Sequence, residues 1–205
     1  MGGIAFQLTG TQRIEKIIHY PLNNYPFILI FTNMIAFQPF PDLSTERLLL
    51  RQMTMEDDKE VFALRSDDSV LEFTGIKKAT EIEDARQFIQ MINNNIERNE
   101  SIFWALSLKN DPQLIGTICI WNINFENAVA EIGYMLLPAM QGKGLMQEAF
   151  VKTVEFGFEE MKLMRIDAEV HPGNLASIKI LERNGFSITE RSPEILIYSL
   201  QKEKK

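Results

Sequence analysis

The sequence predicts a mixed α/β fold with one central sheet of about seven strands and helices packed beside it. Short runs that alternate apolar and polar residues indicate strands, and longer runs with apolar residues at every third or fourth position indicate helices. Between residues 128 and 170 a strand, a helix and a second strand follow one another, an order that makes the two strands parallel. The chain has 205 residues, 45% hydrophobic and 24% charged, which is enough for one domain with a sizeable core.

The first half of the predicted domain contains three strands and two helices. Thr54 and Thr80 can each cap a helix, since a threonine side chain accepts a bond from an unpaired backbone amide of the first turn. The sequence Lys109-Asn110-Asp111-Pro112 is typical of a turn and joins two strands into a hairpin. In order, the elements are a strand over residues 46–53, helices over 55–65 and 81–98, and strands over 101–108 and 114–121.

The second half alternates strands and helices. Its long helix carries Met146 and Phe150 on an apolar face, while Glu148 lies on a face that we expect to be solvated. Asn174 caps the next helix, and Gly185 ends it as the first residue beyond the last turn. The elements are a strand over residues 128–137, a helix over 142–161, a strand over 163–170, the helix from 174 to 185, and strands over 186–190 and 194–200.

A glycine-rich turn between a strand and the long helix predicts an anion site. Gly142 and Gly144 let the backbone approach a ligand closely, and the helix that follows leaves its first amides unpaired at its positive dipole end. This arrangement suits a phosphate or pyrophosphate. Leu145 replaces the lysine of a P-loop, and Gln147 stands where a dinucleotide fingerprint has its third glycine, so both of those loops are excluded.

Three ordered segments together resemble the GNAT superfamily of N-acetyltransferases. Residues 141–146 are similar to its coenzyme A pyrophosphate loop, apart from Met146, which stands where the family has glycine or alanine. Residues 171–186 resemble its later helix motif and follow at the distance that the family requires. Residues 45–51, which begin Thr-Glu-Arg-Leu, resemble the opening strand of the ribosomal-protein alanine N-acetyltransferase-like branch.

This resemblance implies a GNAT fold in which the fourth and fifth predicted strands splay apart around acetyl-CoA. It implies that backbone groups of Met135 and Leu137 bind the pantetheine arm, that the amides of residues 142–147 bind the pyrophosphate, and that Asn174 reaches a pantetheine amide. The implied cofactor-binding set is Met135, Leu136, Leu137, Gln141, Gly142, Lys143, Gly144, Leu145, Met146, Gln147, Asn174 and Ser177.

Acetyl transfer to an amine needs a general base, because the attacking amine must be neutral. A free α-amino group has a pKa of about 7.7–8.0 and a lysine about 10.4. Glu131 lies mid-strand among apolar residues and is similar in position to the glutamate base of some family members. Burial raises the pKa of such a carboxyl toward the useful range, so Glu131 is the predicted base. The competing interpretation is a glutamate at a strand edge paired with a basic residue.

The departing thiolate needs a proton or a hydrogen bond. Many family members supply it from a tyrosine on the helix of the later motif, but here Leu181 stands near that position. Ser177, one turn into the helix, is therefore the predicted donor, and serine plays this part in the resembling branch. The competing interpretation is a serine that only bonds backbone at the helix start. His171 is expected to be structural.

The predicted function is acetyl-CoA-dependent transfer of an acetyl group to a primary amine, such as the N-terminal α-amine of a ribosomal protein. A small-molecule acceptor (a polyamine, an amino acid or an antibiotic) is the first alternative, and a non-catalytic acyl-CoA-binding module is the second. Phe73-Thr74-Gly75, Trp104 and Trp121-Asn122 are candidate acceptor-side residues, with core packing as the competing role of both tryptophans.

Composition sets the expected environment. The net charge of −7 argues against binding to nucleic acid or to an anionic membrane surface. The single cysteine, Cys119, cannot form an internal disulfide and lies in a strand-like run, so we expect a buried structural thiol and a reducing, cytoplasmic location. We expect a monomer or homodimer without a metal site.

The predicted domains are an N-terminal extension over residues 1–38 and an acetyltransferase domain over 39–205. The apolar run from Tyr25 to Phe37 is shorter than the ~20 residues that cross a bilayer, and no signal cleavage site follows it. One hypothesis is that translation starts at Met34; peptides from residues 1–33 in the mass spectrum of the native protein would refute it. The other is a real extension that covers an apolar patch or a partner.

Overall fold

The structure is a computed structural model that describes residues 36–203. The proposed start at Met34 and most of the predicted extension lie outside the described residues. Phe37 falls within the predicted extension, yet it is fully buried in the core, and its backbone amide donates to the side-chain oxygen of Asn99 at 2.8 Å. The packed chain therefore begins at least two residues before the predicted boundary at 39.

Eight strands form one sheet in the described part of the chain, in the order β1-β2-β3-β4-β5-β6-β8-β7. The mixed α/β class is confirmed, with one strand more than expected because Leu43 and Ser44 fold back onto the second strand. The strands are β1 (Leu43–Ser44), β2 (Leu48–Arg51), β3 (Ile102–Leu108), β4 (Asp111–Asn124), β5 (Val129–Leu136), β6 (Arg165–Val170), β7 (Ser187–Arg191) and β8 (Leu196–Gln201). The helices are α1 (Asp58–Ser66), α2 (Asp68–Leu71), α3 (Ile82–Glu97), α4 (Leu145–Glu159) and α5 (Leu175–Arg183), with 3-10 turns at Met55–Asp57 and Pro138–Met140.

The sheet opens between β5 and β6. These two strands are parallel, as predicted, but they pair only from Val129 opposite Arg165 to Glu131 opposite Asp167. Strand β5 continues along β4 toward Leu136, whereas β6 continues along β8. The predicted splay is therefore present, and we call the space between the two strands beyond Glu131 the gap.

Helix α3 shows how the apolar spacing builds the core. Ala85, Ile89, Ile92 and Ile96 recur at helical spacing and are all fully buried, as the pattern predicts. Burying one isoleucine side chain stabilises the fold by about 1.5–3 kcal/mol. Among residues 36–203, no helix is both long and apolar enough to cross a membrane.

At both predicted helix starts an aspartate accepts hydrogen bonds from the threonine that precedes the helix, so the threonine hydroxyl donates and does not accept as expected. Asp57 accepts a hydrogen bond from the Thr54 amide at 2.8 Å, and Asp84 accepts one from the Thr80 amide at 2.8 Å. Carboxylates are stronger acceptors than hydroxyls because the bond is charge-assisted. The first helix begins as a 3-10 turn before α1, and α3 begins one residue later than predicted, with Glu81 and not Thr80 at its N-cap position.

Trp104 lies at the centre of the core. Its ring makes edge-to-face contacts with Phe156 at 5.3 Å and with Phe40 at 6.2 Å between centroids. Its indole N–H donates to the carbonyl oxygen of Pro41 at 2.8 Å, so the one polar atom of this fully buried side chain is bonded. Trp104 therefore joins the chain before β1 to the sheet and to α4.

Candidate functional site

The glycine turn leads from the end of β5 into α4. Gly142 and Gly144 have φ angles of +73° and +74°, so neither continues a helix, and α4 begins at Leu145 rather than at the predicted residue 142. Its first intrahelical bond runs from the Glu148 amide to the Gly144 carbonyl at 3.2 Å. The amides of residues 145–147 have no acceptor within the helix, which is the condition that the predicted anion site requires.

A cavity of about 300 Å³ opens beside this turn. It is bounded by the end of β5, the turn, the first residues of α4 and one side of α5. Eight residues of the predicted cofactor set line it: Leu136, Gln141, Gly142, Gly144, Leu145, Met146, Gln147 and Ser177. The other lining residues are Tyr134, Ala176, Ile180 and Arg183. We call this space the donor cavity.

The backbone of β5 departs from the prediction by one residue. The Leu137 amide donates to the Ile115 carbonyl at 2.9 Å, so it is bonded on the β4 side of the sheet. In an antiparallel pair the bonding direction of the backbone alternates from one residue to the next. Residues two positions apart therefore point the same way, and the polar backbone groups of Met135 also point to β4. The expectation that backbone groups of Met135 and Leu137 face the gap is therefore wrong. The groups that face it belong to Tyr134 and Leu136.

Two buried polar atoms near the donor cavity have no hydrogen-bond partner among the described residues. Asn174 caps α5 as predicted, since its Oδ1 accepts from the Ser177 amide at 3.1 Å, but its Nδ2 is unbonded. Gln147 donates to Asn184 through Nε2 at 2.9 Å, and its Oε1 is unbonded. Buried polar groups are normally paired, so these atoms suit a polar ligand. Together with the glycine turn, they fit the amide and phosphate groups of an acyl-CoA.

Glu148 is not on a solvated face, contrary to the sequence-based expectation. Its carboxylate accepts bonds from the Thr45 hydroxyl, from the Arg47 amide at 2.7 Å and from Arg47 Nε at 2.7 Å. Burial alone would raise the pKa of Glu148, but these bonds outweigh it and hold the pKa below the usual value. Arg47 Nη1 also donates to the carbonyl of Lys143 at 3.0 Å. These hydrogen bonds of Arg47 link the turn before β2 to the glycine turn and to the start of α4.

Replacing Arg47 with alanine is expected to raise the KM for the acyl-CoA roughly five- to tenfold and to leave kcat unchanged. The variant frees the Lys143 carbonyl and loses a half-exposed ion pair to Glu148, worth about 1 kcal/mol. Initial-rate kinetics with varied acyl-CoA measure the effect. Arg86→Ala removes a comparable exposed ion pair, to Asp58, and is the control. An unchanged KM in the Arg47 variant would contradict this role.

A second cavity, of about 1000 Å³, lies beside Glu131, and we call it the acceptor cavity. Of the candidate acceptor-side residues, Phe73, Gly75, Trp121 and Asn122 line it. Trp104 and Thr74 do not, since both are fully buried elsewhere. Further lining residues include Glu72, Glu100, Glu169 and Glu194 together with Arg65, Lys77 and His171.

Glu131 is paired with a neutral amide. Asn122 Nδ2 donates to its carboxylate at 2.6 Å, whereas the competing interpretation required a basic partner. Burial raises the pKa of Glu131, the Asn122 bond lowers it, and the nearby negative charges of Glu169 and Asp167 raise it further, so that the net shift is upward. A carboxyl with a raised pKa that faces a large cavity has the properties of a general base.

Ser177 contacts a tyrosine that the sequence analysis missed. Tyr134 on β5 places its hydroxyl 2.6 Å from Ser177 Oγ on α5, and both side chains are almost completely buried. Burial raises the pKa of Tyr134, although the bond to Ser177 lowers it in part. Leu181 is fully buried and supplies no hydroxyl, as expected. The signal that could have revealed Tyr134 is its position two residues before Leu136, on the same face of β5.

His171 has local structural contacts. Its Nδ1 accepts a hydrogen bond from the Gly173 amide at 3.0 Å, and its ring stacks on Phe73 at 5.2 Å between centroids. The acceptor nitrogen must be unprotonated to make this bond. These contacts agree with the structural role expected for His171, which nevertheless forms part of the wall of the acceptor cavity.

Known proteins resemble this chain in both sequence and fold. Residues 47–187 match the acetyltransferase (GNAT) domain family. The uncharacterized N-acetyltransferase p20 of Bacillus licheniformis is 38% identical over 144 residues, which are 70% of this chain and 81% of p20. The uncharacterized N-acetyltransferase YoaA of Bacillus subtilis is 35% identical over 147 residues, 72% of this chain and 83% of YoaA. The fold also resembles that of RimL, a ribosomal L7/L12 α-N-protein acetyltransferase solved in complex with coenzyme A. The TM-score is 0.70 and the sequence identity 18%, and the match covers 78% of this chain and 98% of RimL.

Proposed function

This chain belongs to the GNAT family of N-acetyltransferases, which use an acyl-CoA and an amine acceptor, and we propose that its donor is acetyl-CoA and its acceptor a protein N-terminal α-amine, such as that of a ribosomal protein. When bound, acetyl-CoA supplies the activated acetyl thioester. The observation that carries the proposal is the position of Glu131, which faces the acceptor cavity where β5 and β6 part.

The two faces of β5 support a division of roles. Successive side chains of a strand point to opposite faces, so Glu131 lies on one face of the sheet while Tyr134 and Leu136 lie on the other. The first face borders the acceptor cavity and the second borders the donor cavity. The gap between the strands connects the faces, and the amine and the thioester would meet there.

Glu131 takes a proton from the attacking amine, directly or through one water. Its raised pKa keeps it a useful base near neutral pH, because burial disfavours its charged form. Asn122 holds one carboxylate oxygen and leaves the other available to the amine. Ser177 offers its hydroxyl to the departing thiolate from the opposite face.

The acceptor cavity supports a cationic acceptor larger than a simple amine. Five glutamates line it (Glu72, Glu100, Glu131, Glu169 and Glu194), against the two cations Arg65 and Lys77. Its volume of about 1000 Å³ lies at the upper end of the ~300–1,000 Å³ typical of small-molecule sites. This room supports a peptide N-terminus with several residues, whose ammonium group the carboxylates attract.

A small-molecule amine is the second candidate, because the same carboxylates would also bind a polyamine. A non-catalytic acyl-CoA-binding module is disfavoured. A binding module gains nothing from a glutamate held in a desolvated position that raises its pKa, since that position costs stability when the group is ionised.

The test is thiol release from acetyl-CoA with a panel of amines: alanine- and serine-starting peptides, spermidine, free amino acids and an aminoglycoside. We expect the peptides to be the best acceptors. A strong preference for spermidine, a free amino acid or the aminoglycoside would favour the second candidate. No release with any amine, alongside tight acetyl-CoA binding, would contradict the proposed reaction.

A further inference from the structure

The hydroxyl pair of Tyr134 and Ser177 joins the two elements that flank the gap. Tyr134 lies on the part of β5 that no longer pairs with β6, and Ser177 lies in the first turn of α5, which follows β6. Both line the donor cavity, and their oxygens are 2.6 Å apart. The edge-to-face contact of Tyr134 with Phe150, at 5.5 Å between centroids, fixes the tyrosine ring.

The direction of this bond decides where the serine hydrogen points. A hydroxyl has one hydrogen to donate and two lone pairs that accept. A phenol is the stronger acid of the two groups and hence the better donor, and burial keeps Tyr134 protonated by raising its pKa. The oxygen positions allow either hydroxyl to donate, and the intrinsic acidity of a phenol favours the direction from Tyr134 to Ser177 Oγ. The hydrogen of Ser177 is then free to bind an acceptor in the donor cavity.

We propose that Tyr134 is a positioning residue for Ser177: its phenol hydrogen binds Ser177 Oγ and directs the serine hydrogen to the departing sulfur of the acyl-CoA. The proposal rests on the proposed function, because it needs Ser177 to face that sulfur. A chain of two hydroxyls is a stronger donor than one, since each bond polarises the next. Many family members donate to the sulfur from a tyrosine on the helix that corresponds to α5, which this chain lacks. Here a tyrosine on β5 acts instead, through the hydroxyl of Ser177 that lies between its ring and the sulfur.

The step balances without ionising either hydroxyl. The amine nitrogen forms a bond to the acyl carbon and loses a proton to Glu131. The carbon–sulfur bond breaks, and its electron pair stays on sulfur as a thiolate that the Ser177 hydroxyl stabilises. The proton held by Glu131 passes to water and from water to the thiolate, so the products are an amide and a thiol.

The test measures the thiol pKa of coenzyme A bound to the protein, from the ultraviolet absorbance of the thiolate as a function of pH. A hydroxyl aimed at sulfur favours the thiolate, so the parent protein should lower this pKa below that of free coenzyme A. Tyr134→Phe should raise the bound pKa by about one unit, a tenfold change in the ionisation equilibrium. The same variant should lower kcat about tenfold and leave the KM for acetyl-CoA unchanged. The absorbance measurement needs no acceptor, so it remains decisive if the amine panel fails.

Three controls separate this role from a structural one. Desulfo-coenzyme A, which lacks the sulfur, should bind the parent protein and Tyr134→Phe equally. Adding Tyr134→Phe to Ser177→Ala should change the bound thiol pKa no further, because the two side chains act as one unit. Thr153→Val removes a fully buried hydroxyl of α4 outside both cavities and should leave the pKa unchanged. A bound thiol pKa that is the same in the parent and in Tyr134→Phe would overturn the proposal, as would equal weakening of coenzyme A and desulfo-coenzyme A binding.

Discussion

A Glu131→Gln variant is expected to lose kcat by about 10²–10⁴-fold and to bind acetyl-CoA as tightly as the parent chain. Glutamine keeps the shape of the side chain and can still bond to Asn122, but it cannot accept a proton from the amine. The donor cavity lies on the other face of β5 and is untouched by the change. Thiol-release kinetics and calorimetric titration with acetyl-CoA measure the two quantities. Unchanged turnover would refute Glu131 as the base.

The pH profile gives an independent reading of the same carboxyl. Glu131 acts as a base only when it is ionised, so kcat/KM should fall as the pH drops through its raised pKa. The acceptor amine also loses reactivity at low pH, because it becomes protonated. Glu131→Gln should therefore abolish the limb that belongs to the carboxyl and keep the limb that belongs to the amine. Identical profiles for the two proteins would count against the assignment.

The same substitution is expected to stabilise the fold at neutral pH. The folded-state pKa of Glu131 is raised, so the folded protein holds this proton more tightly than the unfolded chain. Its contribution to stability is complete at low pH and is lost as the pH rises through the folded-state pKa. Glutamine does not ionise, so the variant does not lose this stability as the pH rises. The Tm of Glu131→Gln should exceed that of the parent at neutral pH, with a smaller difference in acid.

Trp104→Ala is expected to lower the free energy of unfolding by about 3–5 kcal/mol. The ring is fully buried and contacts Phe156 and Phe40, so its removal leaves a large cavity beneath the sheet. It also removes the donor that satisfies the carbonyl of Pro41. For a chain of this size, the loss corresponds to a fall in Tm of roughly 6–20 °C. Chemical and thermal denaturation measure it.

Trp121→Ala is the matched control for this prediction. Trp121 is in the neighbouring strand and lines the acceptor cavity, whereas Trp104 does not. We expect Trp121→Ala to retain the fold and to raise the KM for the acceptor. A stable Trp104→Ala protein with a raised acceptor KM would instead place Trp104 on the acceptor side, the role that its burial argues against.

The sequence could predict what depends on local patterns. Helix α3 follows from the spacing of its isoleucines, and the positive-φ turn before α4 follows from Gly142 and Gly144, because both are properties of neighbouring residues. The parallel pairing of β5 and β6 follows from the strand–helix–strand order. Glu131 can be recognised in the sequence as a polar residue inside an apolar strand, and the structure places it beside a cavity.

The features that escaped prediction depend on distant partners. The alternation along β5 shows which side chains share a face. The pairing with β4 decides which backbone groups point to the gap, and for that reason the prediction for the backbone of Met135 and Leu137 was wrong. Glu148 has a helical position typical of a solvated residue, yet it meets Arg47, 101 residues earlier in the chain. Tyr134 and Ser177 are 43 residues apart, and only the folded sheet brings their hydroxyls together.

The opening of the sheet between β5 and β6 has a kinetic consequence. In the proposed function the donor and the acceptor approach from opposite sides of one strand, so neither has to leave before the other enters, and we expect catalysis through a ternary complex. The sole cysteine, Cys119, is buried with a raised thiol pKa and lines neither cavity, so it offers no nucleophile for a covalent acyl-enzyme. Free coenzyme A should accordingly inhibit by competition with acetyl-CoA and not with the amine, and the acetylated product should compete with the amine alone.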